Sequence, residues 1–403
     1  MKGWFRLFLR EWVYLCKRPR SLVLMILIPV FVTCICGSSY GKGYFSQLKM
    51  GVVDYSYSKQ TREVVEGFRQ SDYFDVVGYY EDEEAISQAM KNGEIVGCLI
   101  FPADFTKKLQ LGQQAEVLLG SNAVNMGYGS TINLKGSEVL GTISTQMAVK
   151  SLVAKGETVE DALAAMNPVS FYTRQWYNPT NNFNFFLTFG FVIATVQQVL
   201  IYFAAISLAR EKESGHLAEV RSISKNAAVQ VTVKCVVYFI ISLMTWLICS
   251  LIIRDIYGIP MRGSRQVWLA YSSLFLLSII TMGQFFSALM PNPVWATSLS
   301  LVFTSPSLVL SGYTWPTIAL PAFYQKLAQV FPLTHFVIGY RNVALMGCGF
   351  EAIRGDMMLL AGISVVCMVL SIALWHWKMA IWEKKQNGET ITEIKAAEPS
   401  IEA

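Results

Sequence analysis

The sequence predicts an α-helical integral membrane protein with six transmembrane helices and an inserted extracytoplasmic α/β domain. Three observations predict it. Of 403 residues, 53% are hydrophobic and only 15% are charged, where soluble domains carry about 25% charge. Six stretches, about 21–40, 183–209, 228–253, 265–290, 294–313 and 357–377, are apolar enough to cross a bilayer, which takes about 20 residues each. Between the first two lies 41–182, where strand and helix patterns alternate; that alternation marks a small α/β domain with a largely parallel sheet.

Residues 1–20 carry six basic side chains against one acid, Glu11. Trp4, Phe5, Phe8, Trp12 and Leu15 share one face at helical spacing, with Lys2, Arg6, Arg10 and Lys17 opposite. This pattern predicts a cytoplasmic interfacial amphipathic helix, with Arg6, Arg10, Trp12 and Lys17 as its candidate contacts. An ordinary anchor ahead of a span fits the same pattern. The first span, 21–40, is long for a signal-peptide core, and no A-x-A site follows it. Neither Cys34 nor Cys36 follows a small residue, which argues against a lipoprotein.

Within 41–182, "LKMGVVDY", "FDVVGYY", "EIVGCLIFP" and "AEVLLGS" read as strands. Helices are expected over 58–69, through "EDEEAISQAMKNG" and over about 123–155, with "ADFTKKLQ" between the third and fourth strands and a last strand near 169–177. This stretch has twelve basic and sixteen acidic residues. The eight cysteines form no CxxC pair and no metal-spaced cluster. Cys98 and Cys348 fall in polar regions, so a disulfide between them is left open.

The remaining spans form 183–377. The charged segment 210–226 divides the second from the third, and Pro291-Asn292-Pro293 divides the fourth from the fifth. With the N-terminus inside, the inner segments hold fourteen Lys and Arg against six in the short outer ones. The positive-inside rule therefore places both termini, and the tail 378–403, in the cytoplasm. Segment 210–226 has helix-compatible residues of paired sign and predicts a short helix able to dock a soluble partner; a solvated turn is the alternative. Residues 314–345, broken by Pro316, Pro321 and Pro332, predict a re-entrant elbow built of two short helices, about 320–330 and 333–345, because exposed irregular backbone is costly in lipid. An amphipathic outer loop is the alternative here.

No catalytic motif is present. "GSSYGKG" at 37–43 has too few residues between its glycines for a P-loop and lacks the Ser or Thr that binds magnesium. No Asp or Glu lies inside the six predicted spans, and Lys234 is placed to snorkel from the third. A proton- or sodium-coupled transporter normally needs such groups, so any uphill transport must draw its energy from elsewhere.

Four stretches carry a family resemblance: "LAREKESGHLAEV", "LVLSGYTWPTIALPAFYQKLAQVFPLTHFVIGYRNV", "GVVDYS" with the domain that follows, and "YGIPMRGS". The chain resembles the membrane subunit of ABC type-2 exporters, in the subgroup with a large outer domain after the first span. The resemblance implies a non-catalytic permease that moves an amphipathic or hydrophobic substrate (a drug, lipid or lipid-linked compound) outward across a bacterial inner membrane, in the manner of multidrug efflux. It implies a dimer, with itself or a sister permease, and an ABC ATPase subunit that carries ATP and Mg; a periplasmic adaptor is left open. No cofactor, metal or nucleic acid is expected on this chain. Arg210, Glu211, Lys212, Glu213, Gly215, His216 and Glu219 match the ATPase-coupling loop, though His216 stands where Thr is common. Gly312, Pro316, Pro321, Pro332, Thr334 and Arg341 match the elbow, with Phe331 where Asn usually precedes the proline. A membrane-anchored receptor, whose outer domain binds a ligand, is the competing reading.

Overall fold

The computed structural model describes residues 2–39, 44–111, 113–153, 156, 158–160, 176–178, 182–213 and 215–386. The chain divides into two compact units, Met1–Gly41 with Trp176–Ala403, and Lys42–Gln175.

The first unit opens with α1 (Lys2–Lys17) and α2 (Pro19–Ser39). Only Arg18 separates them, because Pro19 has no amide to continue α1 yet is well suited to the first position of α2. The N-terminal helix therefore ends earlier than 20, and the first span begins earlier than 21. Next come α7 (Phe183–Glu213), α8 (Leu217–Ile223) and α9 (Ala227–Leu251). The last runs on through a π-turn, Ile252–Ile256. Helix α7 carries Arg210–Glu213 as its own last turn, so the expected loop from 210 is in part helix. Charged side chains at a helix end need not stop it, and Arg210, Glu211 and Lys212 find partners there.

Helices α10 (Arg265–Leu289) and α11 (Pro293–Thr304) flank the proline turn, with Asn292 capping α11 by accepting from Trp295 N at 3.0 Å. The fifth span breaks at Pro306 and resumes as α12 (Ser307–Leu310). Elbow helices α13 (Ala322–Ala328) and α14 (Val337–Arg341) lead through a π-turn, Asn342–Met346, into α15 (Phe350–Gln386). Among the described residues, six helices are thus long and apolar enough to cross a membrane: Pro19–Ser39, Phe183–Glu213, Ala227–Ile256, Arg265–Leu289, Pro293–Leu310 and Phe350–Lys384.

Helix α10 lies at the centre of this unit, packed against α7 and α15. The approach to α7 is close: a Cβ on Gly283 would stand 2.6 Å from Ala204 Cβ and 2.9 Å from Ile201 O. Trp246, Tyr271, Phe275, Phe336 and Tyr340 fill the core, with Phe275 stacked on Phe336 at 4.0 Å.

The second unit contains β1 (Leu48–Asp54), α3 (Lys59–Arg69), β2 (Phe74–Tyr79), α4 (Glu83–Lys91), β3 (Gly97–Phe101), α5 (Phe105–Gln110), β4 (Leu118–Ser121) and α6 (Met126–Val153). Its sheet runs β2-β1-β3-β4, with β1 parallel to β2 and β3, and β4 antiparallel to β3. The central strand β1 is buried on both faces, as parallel strands under helices are. Met50 and Val52 pack with Phe68 of α3 and Ile132 of α6; Val53 packs on the other side with Ile86 of α4. The strand expected near 169–177 lies, but for its last two residues, outside the described residues. Cys98 and Cys348 belong to different units, and both thiols are free.

Candidate functional site

The charges of the α7–α9 turn assemble with α1 into a single ion cluster. Arg210 and Glu211 close α7 and point inward; both are buried, as are Glu11 on α1 and Lys234 on α9. Lys234 Nζ donates to Glu11 Oε2 at 2.6 Å and to Glu211 Oε1 at 2.7 Å. Arg210 donates to Glu11, and to the Tyr238 hydroxyl at 3.2 Å, while its guanidinium lies 3.8 Å from the Tyr14 ring centre. Arg10 reaches across with both arms. It donates to Glu219 on α8 at 2.9 and 3.0 Å, and to Glu211 at 3.2 Å through each terminal nitrogen. Three cations meet three carboxylates, so the cluster is neutral, which burial demands. Arg221 of α8 pairs with Glu383 of α15 and ties the turn to the last helix.

The electrostatics follow from this geometry. Burial alone would raise the Glu11 carboxyl, but Lys234 and Arg210 outweigh it and hold it below the ordinary carboxylate value. The hydrogen bond from Arg10 holds Glu219 low as well. Burial works against the charge of Arg10, and its two glutamate partners more than offset that. A void of only about 10 Å³ lies beside the cluster, among Leu7, Arg10, Glu11, Val220 and Lys234, so α1 is closely fitted to α8 and α9.

The expected coupling residues thus divide. Arg210 and Glu211 serve the interior. Lys212 is half-buried and donates to the Met290 and Ser287 carbonyls at 2.7 and 3.3 Å, at the end of α10. Glu213, Gly215 and Glu219 face outward, with His216 half-buried ahead of α8. Gly215 holds φ +72°, a left-handed conformation that reverses the chain between α7 and α8 at low cost only for glycine.

On α1, Arg10 is turned inward. Arg6 and Lys17 are exposed, and Trp12 packs against the core. The helix exposes Phe5, Leu9 and Val13 as its apolar stripe and buries Leu7, Glu11 and Leu15. This departs from the expected facing: Arg10 leaves the basic face and Leu15 leaves the apolar one, because the cluster and the core claim them. Lys234 likewise does not snorkel to water; its carboxylates are nearer.

The elbow residues fall in two places. Gly312, at φ +81°, begins the turn toward Thr317, and a Cβ there would stand 2.7 Å from Thr317 Cγ2. Tyr313 beside it stacks on Phe186 at 5.1 Å, and Arg341 lies 5.3 Å from the Tyr313 ring centre. Pro316 and Pro321 are exposed, each just before a short helix; Pro332 is buried and Thr334 half-buried, in turns that lead into α14. The first elbow helix matches the expected 320–330 in place. The second starts late, at Val337, because residues 331–336 form successive turns.

The cluster members that sequence reasoning missed are Glu11, Lys234, Tyr14 and Tyr238. Glu11 shares a helix face with Leu7 and Leu15 at four-residue spacing, and that was the available signal. Among the described residues no group of His, Cys, Asp or Glu could hold a metal ion.

Residues 19–373 match the family described as ABC-2 family transporter protein. The chain belongs to that family. This ABC-2 permease is similar to the probable multidrug ABC transporter permease YbhS of Escherichia coli, at 25% identity over 84% of this chain and 87% of that protein. It is similar also to the probable multidrug ABC transporter permease YbhR of the same species, at 21% identity over 93% of this chain and 100% of that one. A third relative, the Escherichia coli inner membrane transport permease YhhJ, is 20% identical over 90% of this chain and 93% of its own length. The permease is therefore a multi-pass membrane protein of transport.

Proposed function

We propose that this permease is the membrane subunit of an ATP-driven exporter, and that separate ABC ATPase subunits dock on the turn between α7 and α9. The observation that carries the reading is the buried cluster joining α1, α7, α8 and α9 through Arg10, Glu11, Arg210, Glu211, Glu219 and Lys234. A partner pressing on the exposed residues Glu213, Gly215 and Glu219 displaces a turn that is ionically locked to two spans and to α1. Breaking such a lock by removing one partner costs about 3–5 kcal/mol, so the turn transmits a push more readily than it yields to one.

In this reading the cluster, both termini and α1 lie on the cytoplasmic side of a bacterial inner membrane, with α1 resting its exposed stripe of Phe5, Leu9 and Val13 on the bilayer. The α/β unit lies outside. Two permease copies, or this chain and a sister, form the path, and the cargo is amphipathic or hydrophobic, leaving past the elbow. Two relatives named as probable multidrug permeases support that cargo class. The chain needs no cofactor of its own; ATP and Mg act on the partner.

The test is to co-express and purify the chain with a candidate ABC ATPase subunit and to follow ATP turnover and dye efflux. Co-purification and a permease-dependent ATPase rate are expected. Glu213→Arg combined with Glu219→Arg is expected to abolish efflux while leaving the protein in the membrane. Full efflux in that variant, or identical turnover with and without the permease, would sink the reading.

A further inference from the structure

A cleft of about 200 Å³ opens beside the ion cluster, lined by Tyr14, Arg18, Ser21, Phe203, Ile206 and Glu213 among others. Its wall is divided by chemistry. Leu15, Phe203 and Ile206 are apolar. Arg18 is exposed, with its guanidinium 4.7 Å from the Tyr14 ring centre. Ser21 stands in the first turn of α2, where the helix dipole favours an anion; its amide is already taken by Arg18 O at 3.1 Å. Glu213, at the end of α7, is also exposed. Among the described residues neither Arg18 nor Glu213 has an ion-pair partner, and they are not paired with each other, although both line the same cleft. Its wall therefore holds one uncompensated cation and one uncompensated anion, close to an apolar floor.

We propose that this cleft binds the headgroup of an aminophospholipid, with the phosphate on Arg18 and the Ser21 hydroxyl and the ammonium on Glu213. Only an occupant with both charges answers both walls. A purely anionic headgroup meets Glu213 as a like charge, and a choline headgroup offers that carboxylate no N–H donor. The lipid source is favoured over a soluble zwitterion by the surroundings. Leu24, Leu27, Ile28 and Phe31 of α2 are exposed beyond Ser21, and Tyr202 is exposed beside Phe203, which gives acyl chains an apolar surface to follow. The proposal shares Glu213 with the ATP-driven reading but requires only that the six helices lie in a bilayer, and lipid retention by the chain without an ATPase tests it separately. Arg210, which the cleft shares with the cluster, couples an occupied site to the lock between α1 and α7.

The experiment is native mass spectrometry of the full chain in detergent, offered phosphatidylethanolamine, phosphatidylglycerol or phosphatidylcholine at equal concentration, with glycerophosphoethanolamine as the soluble competitor. Retention of phosphatidylethanolamine above the other two is expected. Loss of one charged hydrogen-bond donor is worth about tenfold in affinity. Arg18→Gln is therefore expected to lower that retention about tenfold, and Arg18→Lys, which keeps the charge, to hold it within about threefold. Glu213→Gln is expected to shift the preference toward phosphatidylglycerol by about tenfold. Both side chains are exposed, so the variants fold, which their melting temperatures check. Equal retention of all three lipids, Lys and Gln at 18 behaving alike, or an unchanged preference in Glu213→Gln would each overturn the proposal. Displacement of the lipid by equimolar glycerophosphoethanolamine would overturn the lipid source.

Discussion

Lys234 donates to two carboxylates on two other helices, and nothing else in reach of both is a cation on α9. Replacing it with Met keeps the stem but leaves Glu11 and Glu211 under-compensated in a buried place. The expected loss is about 3–5 kcal/mol of stability, read as a lower melting temperature in detergent and a smaller yield from the membrane. Adding Glu11→Gln should restore part of it, since the second change removes the stranded charge. Acid should act on the same groups. Glu11 and Glu219 are held below the ordinary carboxylate value of 4.5, so their stabilisation is complete above that pH and disappears as pH falls through their lowered values. The melting temperature should drop below pH 4.5, and drop less steeply in Glu219→Gln; an identical slope in that variant would count against the pairing. In the chain only the four-residue spacing of Glu11 with Leu7 and Leu15 pointed to this. Arg10, Arg210 and Glu219 were visible as charges, but Glu11 lies 223 residues from Lys234, and a lone acid among six basic residues reads as solvated until its helix is packed.

Helices fared better than single charges because their signals are local. All six spans were legible from apolar length, and so were the four strands β1 to β4 and the helices α3, α4 and α6 of the α/β unit. The breaks were less legible. The extension of α7 through Glu213 depends on interior partners for Arg210 and Glu211, and the kink at Pro306 depends on α12 resuming the same path. The elbow residue Arg341 was singled out as a family match, but only the packed elbow shows it against Tyr313 and Phe186. One contact between elements offers a direct check. At Gly283 the backbones of α7 and α10 come too close for any side chain, with Ile201 O only 2.9 Å from an added Cβ. Gly283→Leu must push α10 off α7. Overpacking of this kind costs about 1–3 kcal/mol or more, and because both helices carry the core, it should cost transport along with melting temperature. Native melting temperature in that variant would mean that the helices are less tightly apposed than described.

At the scale of the whole chain, the division into two units makes a prediction that neither residues nor helices make. The α/β unit has its own core on both faces of its sheet, with Phe68, Phe101 and Ile132 on one side and Ile86, Ile95 and Ile100 on the other. Its helix α3 is closed by a capping box of Ser58 and Thr61, and its chain ends both lead to the helical unit. A domain of this size buries enough surface to fold alone. Residues 42–175 expressed without the helices should therefore be soluble and should unfold in one cooperative transition, with a denaturant slope fitting a domain of that size. If they do, a permease lacking that unit becomes a fair test of division of labour. It should still insert its six spans and still bind its ATPase, because the ion cluster lies wholly in the other unit, between Arg10 and Lys234. Loss of ATPase binding in that variant, with the isolated domain well folded, would show that force transfer is not confined to the cluster.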